Sequence, residues 1–343
     1  MKILVKYVCT LPKIGNTPSV TLICDECYEY LIKLIDNDTN IVVYDKVCCN
    51  GETIIGGRQW YTNWKIEVWD MSGILIHTEY FNPAGEVVFI KSDSIALGDN
   101  IAWIPYFEEF RKQHNCTVIC STFFNHLFED VYPDLIFVEP NTRIGNVYAQ
   151  YYVGACDDGN TKYSPSNYNN ISLQRVASGI LGLNDNEIKP NVIIRNSHIA
   201  NCNTQYICIS EFASASNKMW QYEGGWQRIV DYINEIGYEV RVISKEPTEL
   251  KNVVNLTGNF SLDERITQLS GAKLFIGVSS GLAWLSWAVG THVMMISDIS
   301  PKWHEFQTDI TRLSNNKTNC VDYSPTEPTS YEKVVKELDI LLR

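Results

Sequence analysis

The hydrophobic pattern changes character along the chain. Up to about residue 85 apolar and polar positions alternate, the period of a half-buried strand. Trp64-Lys65-Ile66-Glu67-Val68-Trp69 alternates, Asp70-Met71-Ser72-Gly73 interrupts it, and Ile74-Leu75-Ile76-His77-Thr78-Glu79-Tyr80-Phe81 resumes. This predicts a hairpin, closed by Asn82-Pro83-Ala84-Gly85. From about 86 short apolar runs alternate with amphipathic segments of helical length. Val87–Ile90 reads as a buried strand, followed by a helix over about 100–113, strand Thr117–Cys120, a second helix, strand Leu135–Val138 and a helix near 172–182. A second series begins at strand Tyr206–Ser210, with a helix near 226–233 and strand Glu239–Ile243. Ser261-Leu262-Asp263-Glu264 has the form of a capping box. Strand 273–278, helix 281–289 and strand 292–297 follow. A polar stretch, 314–330, precedes a last helix, Tyr331–Leu342. Such alternation predicts parallel sheets. The expected class is α/β: a small β-rich domain at 1–85, then two Rossmann-like domains at 86–200 and 201–343 facing a cleft.

Composition narrows the field. The 343 residues carry a net charge of −12, which argues against nucleic acid as a partner. No run approaches the roughly 18 apolar residues of a membrane helix, and the start, broken by Lys6, lacks a signal-type core. Eleven cysteines scatter without a frame, as reduced thiols in a cytoplasmic protein would.

Two segments carry the chemistry. Ile95-Ala96-Leu97-Gly98-Asp99-Asn100-Ile101-Ala102-Trp103-Ile104-Pro105 and Phe275-Ile276-Gly277-Val278-Ser279-Ser280-Gly281-Leu282-Ala283-Trp284-Leu285-Ser286-Trp287-Ala288 each read as a strand end or turn entering a helix. Neither is a GxGxxG or Walker loop, so the signatures of hydride transfer and P-loop hydrolysis are missing. Asp99 reads either as a helix cap or as a general base. The turn at Gly277–Gly281 is either a plain strand-to-helix connection or a cradle of hydroxyls and backbone N–H groups for a diphosphate. Lys218, just past strand 206–210, is a surface lysine or a cation for a departing diphosphate.

Together these stretches, with Lys218-Met219-Trp220, Gly225-Trp226, Ile296-Ser297 and His304-Glu305-Phe306, resemble the bacterial autotransporter heptosyltransferases. That family lies within the ADP-heptose glycosyltransferases of GT-B fold, and the resemblance covers about 64–313. It implies inverting transfer of heptose from ADP-heptose to serine hydroxyls of an autotransporter protein; the helix entrance after Gly277 and Lys218 are expected to hold the diphosphate without a required metal. Asp99 would be the base. Lys218, Ser279, Ser280, Gly281, Leu282 and Trp284 would bind the donor, and Gly98, Asn100 and Trp103 would lie on the acceptor side or cleft. Trp287 would pack or shape the donor pocket. A lipopolysaccharide-core or other glycan acceptor is the alternative within the fold. A non-catalytic sugar-nucleotide binder is the alternative outside it.

The family's C-terminal iron-binding cysteine cluster, which supports large rings, has no counterpart here: only Cys320 follows Cys208. The expectation is therefore no metal cofactor and a monomer or small homo-oligomer. Cys24-Asp25-Glu26-Cys27 with Cys48-Cys49 is poor zinc geometry. The chain is expected to bind a nucleotide sugar and an acceptor protein or glycan, without stable membrane insertion.

Overall fold

The structure, a computed structural model, describes residues 2–6, 19–23, 28–155, 163–167, 171–195, 205–214, 218–296, 305–313 and 329–342. It divides into two compact units: 1–95 with 103–168 and 175–186, and 96–102 with 169–174 and 187–343.

The first unit holds three sheets. Strands β1 (Lys2–Lys6), β2 (Ser19–Ile23) and β5 (Thr53–Ile55) form one, with β3 (Tyr30–Asp36), β4 (Ile41–Cys48), β6 (Trp64–Asp70) and β7 (Leu75–Tyr80) forming a second in the order β4-β3-β6-β7. Both are antiparallel. The alternation seen in the sequence buries Ile32, Leu34, Trp64, Ile66 and Val68 on one face. The β6–β7 turn forms where expected. Asp70 Oδ1 accepts from the N–H groups of Ser72 and Ile74 at 2.9 and 2.8 Å, and Gly73 takes φ 88°. The third sheet is parallel, β10-β9-β8-β11, from β8 (Val87–Ser92), β9 (Thr117–Ser121), β10 (Ile136–Phe137) and β11 (Ala149–Val153).

Helix α1 (Leu97–His114) follows β8 and is apolar on most sides. Ile101, Trp103, Ile104, Phe107 and Phe110 are all fully buried. The second helix expected after β9 shrinks to one 3-10 turn, Asn125–Leu127. The Asn125 side chain accepts from Thr122 N–H at 2.9 Å and donates to Val138 O at 2.8 Å, which ties the loop to both flanking strands and leaves no room for a longer helix. The next helix, α2 (Leu173–Leu181), stands close to its expected bounds.

The second unit is a six-stranded, all-parallel sheet in the order β14-β13-β12-β15-β16-β17. Its strands are β12 (Tyr206–Ser210), β13 (Glu239–Val242), β14 (Val254–Asn255), β15 (Leu274–Gly277), β16 (Val293–Ile296) and β17 (Ile310–Leu313). Every residue of β12, β15 and β16 is buried, as a parallel sheet covered on both faces requires. Helices α3 (Gly225–Glu235), α4 (Leu262–Ser270), α5 (Gly281–Ala288) and α6 (Tyr331–Leu342) accompany it. Ile229, Val230 and Ile233 of α3 share one core with Val334 and Leu338 of α6. The capping box of α4 forms as read: Ser261 Oγ accepts from Glu264 N–H at 3.2 Å, and Ser261 N–H donates to Glu264 at 2.7 Å.

One glycine just past α2 tests the first unit's packing. Gly182 has φ 66°, and a Cβ there would lie 2.1 Å from the Tyr61 ring. Gly182→Ala combines backbone strain with overpacking, and is expected to cost about 2–4 kcal/mol, read as a lower denaturant midpoint at unchanged m-value.

Candidate active site

The winding of the six-stranded sheet picks out one place. Strands β12, β13 and β14 are laid down to one side and β15, β16 and β17 to the other, so the order reverses between β12 and β15. The crevice at the carboxyl ends of strands flanking such a reversal is where open α/β sheets bind ligands. Ser210 and Gly277 are the last register pair of these two strands. The segments that follow them, toward Lys218 and through Ser279-Ser280, therefore leave the sheet side by side.

Hydroxyl groups at this edge are unevenly satisfied. Ser279 is buried and donates to the Glu305 carboxylate. Ser280 is the residue before α5, with φ −151° and ψ 169°, yet makes no side-chain cap bond, and its Oγ is buried without a partner. Ser210 Oγ, on the neighbouring strand end, is likewise buried and unmet. A buried unmet hydroxyl costs about 1–3 kcal/mol. Ser210 and Ser280 thus leave two hydroxyls without a protein partner on the segments that end β12 and open α5. The first turn of α5 holds no acidic residue to answer its dipole.

The first turn of α1 belongs to this second unit and touches that entrance. A Cβ built on Gly281 would lie 3.0 Å from Leu97 Cβ and 3.4 Å from Gly98 N. One built on Gly98 would lie 3.0 Å from Trp284 Cδ1. Glycine at both positions lets the two helix starts meet. Asp99 is the third residue of α1 and half-buried. It does not occupy the capping position, because Ala96 precedes the helix and its carbonyl accepts from Asn100 N–H and from Asn100 Nδ2, at 3.3 and 2.7 Å. Asn100 itself is 1% exposed and Trp103 is fully buried, so both serve the packing of α1.

Lys218 is half-buried, and no described carboxylate forms an ion pair with it. Its loop is anchored two residues on. Trp220 is buried, donates from Nε1 to Thr329 O at 2.7 Å and stacks on Tyr222. A Cβ on Gly225 would lie 2.4 Å from the Trp220 ring, which explains the glycine there. Sequence reasoning passed over Glu211, the residue after β12. Its carboxyl accepts from Thr248 Oγ1 at 2.5 Å, and burial pushes its pKa up.

Leu282 is half-buried on α5. Trp284 is 3% exposed and meets Trp287 and Phe306 edge-on, at centroid distances of 5.6 and 5.1 Å. Trp287 stacks on Phe306 at 4.5 Å and 4°. Thr308 joins this cluster to residue 187, its hydroxyl donating to Glu187 at 2.6 Å. His304 and Ser297 lie outside the described residues, as do Cys24, Cys27 and Cys320.

Among the described residues no three His, Cys, Asp or Glu side chains converge on a metal site. Burial pushes the Cys208 thiol up to about 12 and the Cys116 thiol to about 11, so both are protonated, unreactive side chains of the core. No described helix is long and apolar enough to cross a membrane.

Two parallel sheets and a β-rich first part are the components of a GT-B-like fold, the architecture of many glycosyltransferases. Residues 174–297 match the model of glycosyltransferase family 9, the heptosyltransferases. The chain is 30% identical over 296 residues to the autotransporter heptosyltransferase BAHTCr of Citrobacter rodentium, covering 81% of this chain and 70% of that one. It is 34% identical to Aah of Escherichia coli, over 64% of this chain and 59% of that one. BimC of Burkholderia thailandensis, 26% identical over 85% of this chain and 71% of its own, is named an inactive autotransporter heptosyltransferase. The crystal structure of TibC from enterotoxigenic E. coli, described as an iron-containing dodecameric glycosyltransferase, superposes with a TM-score of 0.85 at 21% identity, over 99% of this chain and 95% of that one. The chain belongs to the autotransporter heptosyltransferase family and is a glycosyltransferase.

The unmet Ser280 hydroxyl yields a prediction. A cap serine normally costs about 1 kcal/mol to replace with alanine. Here no cap bond exists, so Ser280→Ala should leave the denaturation midpoint of the free protein unchanged or slightly raised. ADP binding should weaken about tenfold by calorimetry. A clear loss of stability with unchanged ADP affinity would make Ser280 an ordinary cap.

Proposed function

We propose that this chain transfers a heptose from ADP-heptose to a serine hydroxyl of an autotransporter protein, with inversion at the anomeric carbon. The observation that carries the reading is the meeting of the α1 and α5 entrances at the sheet's reversal point, beside two unmet hydroxyls and Asp99. Further support is that a solved structure of TibC is described as a complex with ADP-D-β-D-heptose.

In this reading the acceptor hydroxyl gives its proton to the Asp99 carboxylate as its oxygen forms a bond to C1 of the sugar. The C1–O bond to the β-phosphate breaks on the opposite face, and ADP leaves with the electron pair. The growing charge is met by the N–H groups opening α5, the hydroxyl of Ser280, backbone at Ser279, Gly281 and Leu282, and the ammonium of Lys218. Trp284 backs this wall through its contact at Gly98. The chain's own groups thus suffice for the leaving group, and we assign no metal to the step. The first unit, with its β-rich part, would present the acceptor and the second, which includes the start of α1, the donor, in the cytoplasm. A glycan acceptor such as lipopolysaccharide core remains the second reading, because nothing in the donor site selects between hydroxyls.

Asp99→Asn is expected to lower kcat about 10²–10⁴-fold while the Kd for ADP stays within about twofold. Activity within threefold of the unmodified chain would reduce Asp99 to a helix-dipole partner. Absence of turnover in the unmodified chain, with any heptose donor and adhesin acceptor, would place it beside BimC.

Transfer should also proceed at an unchanged rate in EDTA, with elemental analysis finding no stoichiometric iron or zinc. For residues 1–343 as they stand, light scattering in reducing buffer should give one or two chains. A mass of about twelve chains would show instead that TibC-like assembly needs no C-terminal cysteine cluster.

A further inference from the structure

Away from the α5 entrance, one buried cation of the second unit is only half satisfied. Arg265 lies on α4 and is 6% exposed. Its Nη2 donates to Gly258 O at 2.7 Å, while Nη1 is buried and meets no acceptor. A guanidinium is charged at any working pH and can only donate, so an unmet edge in the interior is among the costliest polar defects. Desolvation lowers its proton affinity, and the carboxylates whose fields oppose that are Glu246 and Glu264. Glu264 is already committed to Ser261 in the capping box.

Arg265 forms part of the wall of a cavity of about 150 Å³. The other walls are Ile243 and Leu256, just past β13 and β14, the Phe260 ring, and Glu264, Thr267 and Gln268 of α4. Phe260 is 40% exposed, an aromatic ring left partly open. Apolar walls, an open ring and a carboxylate disfavour a phosphate here and suit a planar heteroaromatic ring. The cavity lies on the β13–β14 side of the reversal point, so diphosphate and base would occupy different strands' ends.

We propose that Arg265 is a specificity-determining residue that reads the donor's nucleobase, Nη1 donating to one ring nitrogen of a purine held against Phe260. This rests on the ADP-sugar reading above. It adds that the chain selects its nucleotide through an acceptor on the base. Because an arginine offers only donors, a base presenting an N–H at that point would be rejected.

The test is a chemical double-substitution cycle in the full chain. Binding of ADP and of its 1-deaza, 3-deaza and 7-deaza analogues, each lacking one ring acceptor, is measured by calorimetry on the unmodified chain and on Arg265→Met. One analogue should bind the unmodified chain about tenfold or more weakly than ADP. That same analogue and ADP should bind Arg265→Met alike. Equal binding of all four ligands to the unmodified chain overturns the proposal while leaving the donor reading intact, and needs no variant that might fail to fold. A penalty for one analogue that persists undiminished in Arg265→Met also overturns it. Failure of the unmodified chain to bind ADP at all overturns the donor reading and this proposal together.

Discussion

Two helix entrances in contact set the terms for the rest of the site. Gly98 and Gly281 let the first turns of α1 and α5 approach within van der Waals range, and no side chain fits at either place without displacement. Each entrance carries roughly half a positive charge. Bringing two together is unfavourable unless negative charge lies nearby. The protein supplies one acid in the first turn of α1, Asp99, and none in that of α5. Glu305, which accepts from Ser279, adds a buried carboxylate at that turn, and the hydroxyls of Ser210 and Ser280 stay unmet. In the proposed reading a diphosphate answers both needs: charge for the dipoles and acceptors for the hydroxyls.

The surroundings hold that arrangement in place. Trp284, Trp287 and Phe306 form an aromatic cluster behind α5, and Trp284 is the ring that Gly98 approaches. Glu187 accepts from Thr308, and Lys189 pairs with Asp309 at 2.6 Å, so residues 187–189 and 307–309 are pinned beside the cluster. On the other strand end Trp220 anchors the loop that carries Lys218. These tryptophans act by fixing backbone, which is why most are buried rather than lining an open surface.

Much of this was legible in the sequence because the signals are local. The β6–β7 hairpin follows from alternation and the Asp70–Gly73 turn, the α4 start from its capping box, and α6 from its periodic apolar face. Less legible were features set by distant partners. The short edge strands β14 and β17 depend on neighbours more than on their own pattern, and the loop at Asn125 is fixed by bonds to Thr122 and Val138. In the site, Gly98, Ser280 and Gly281 were visible as small residues at a turn, but their mutual contact spans 183 positions from 98 to 281. Ser210 and Arg265 were not singled out. The first looks like the last residue of a strand, and the second like the polar face of an amphipathic helix. Only burial without a partner distinguishes them.

The central claim is that the diphosphate of the donor sits where α1 and α5 begin. A structure of the chain soaked with ADP tests it most directly. The account predicts phosphate oxygens within about 3 Å of Ser280 Oγ and of the backbone N–H groups opening α5, hydrogen-bond range for such donors. ADP bound in the β-rich first part, or at the carboxyl edge of the four-stranded parallel sheet, with the α5 entrance empty, would contradict it.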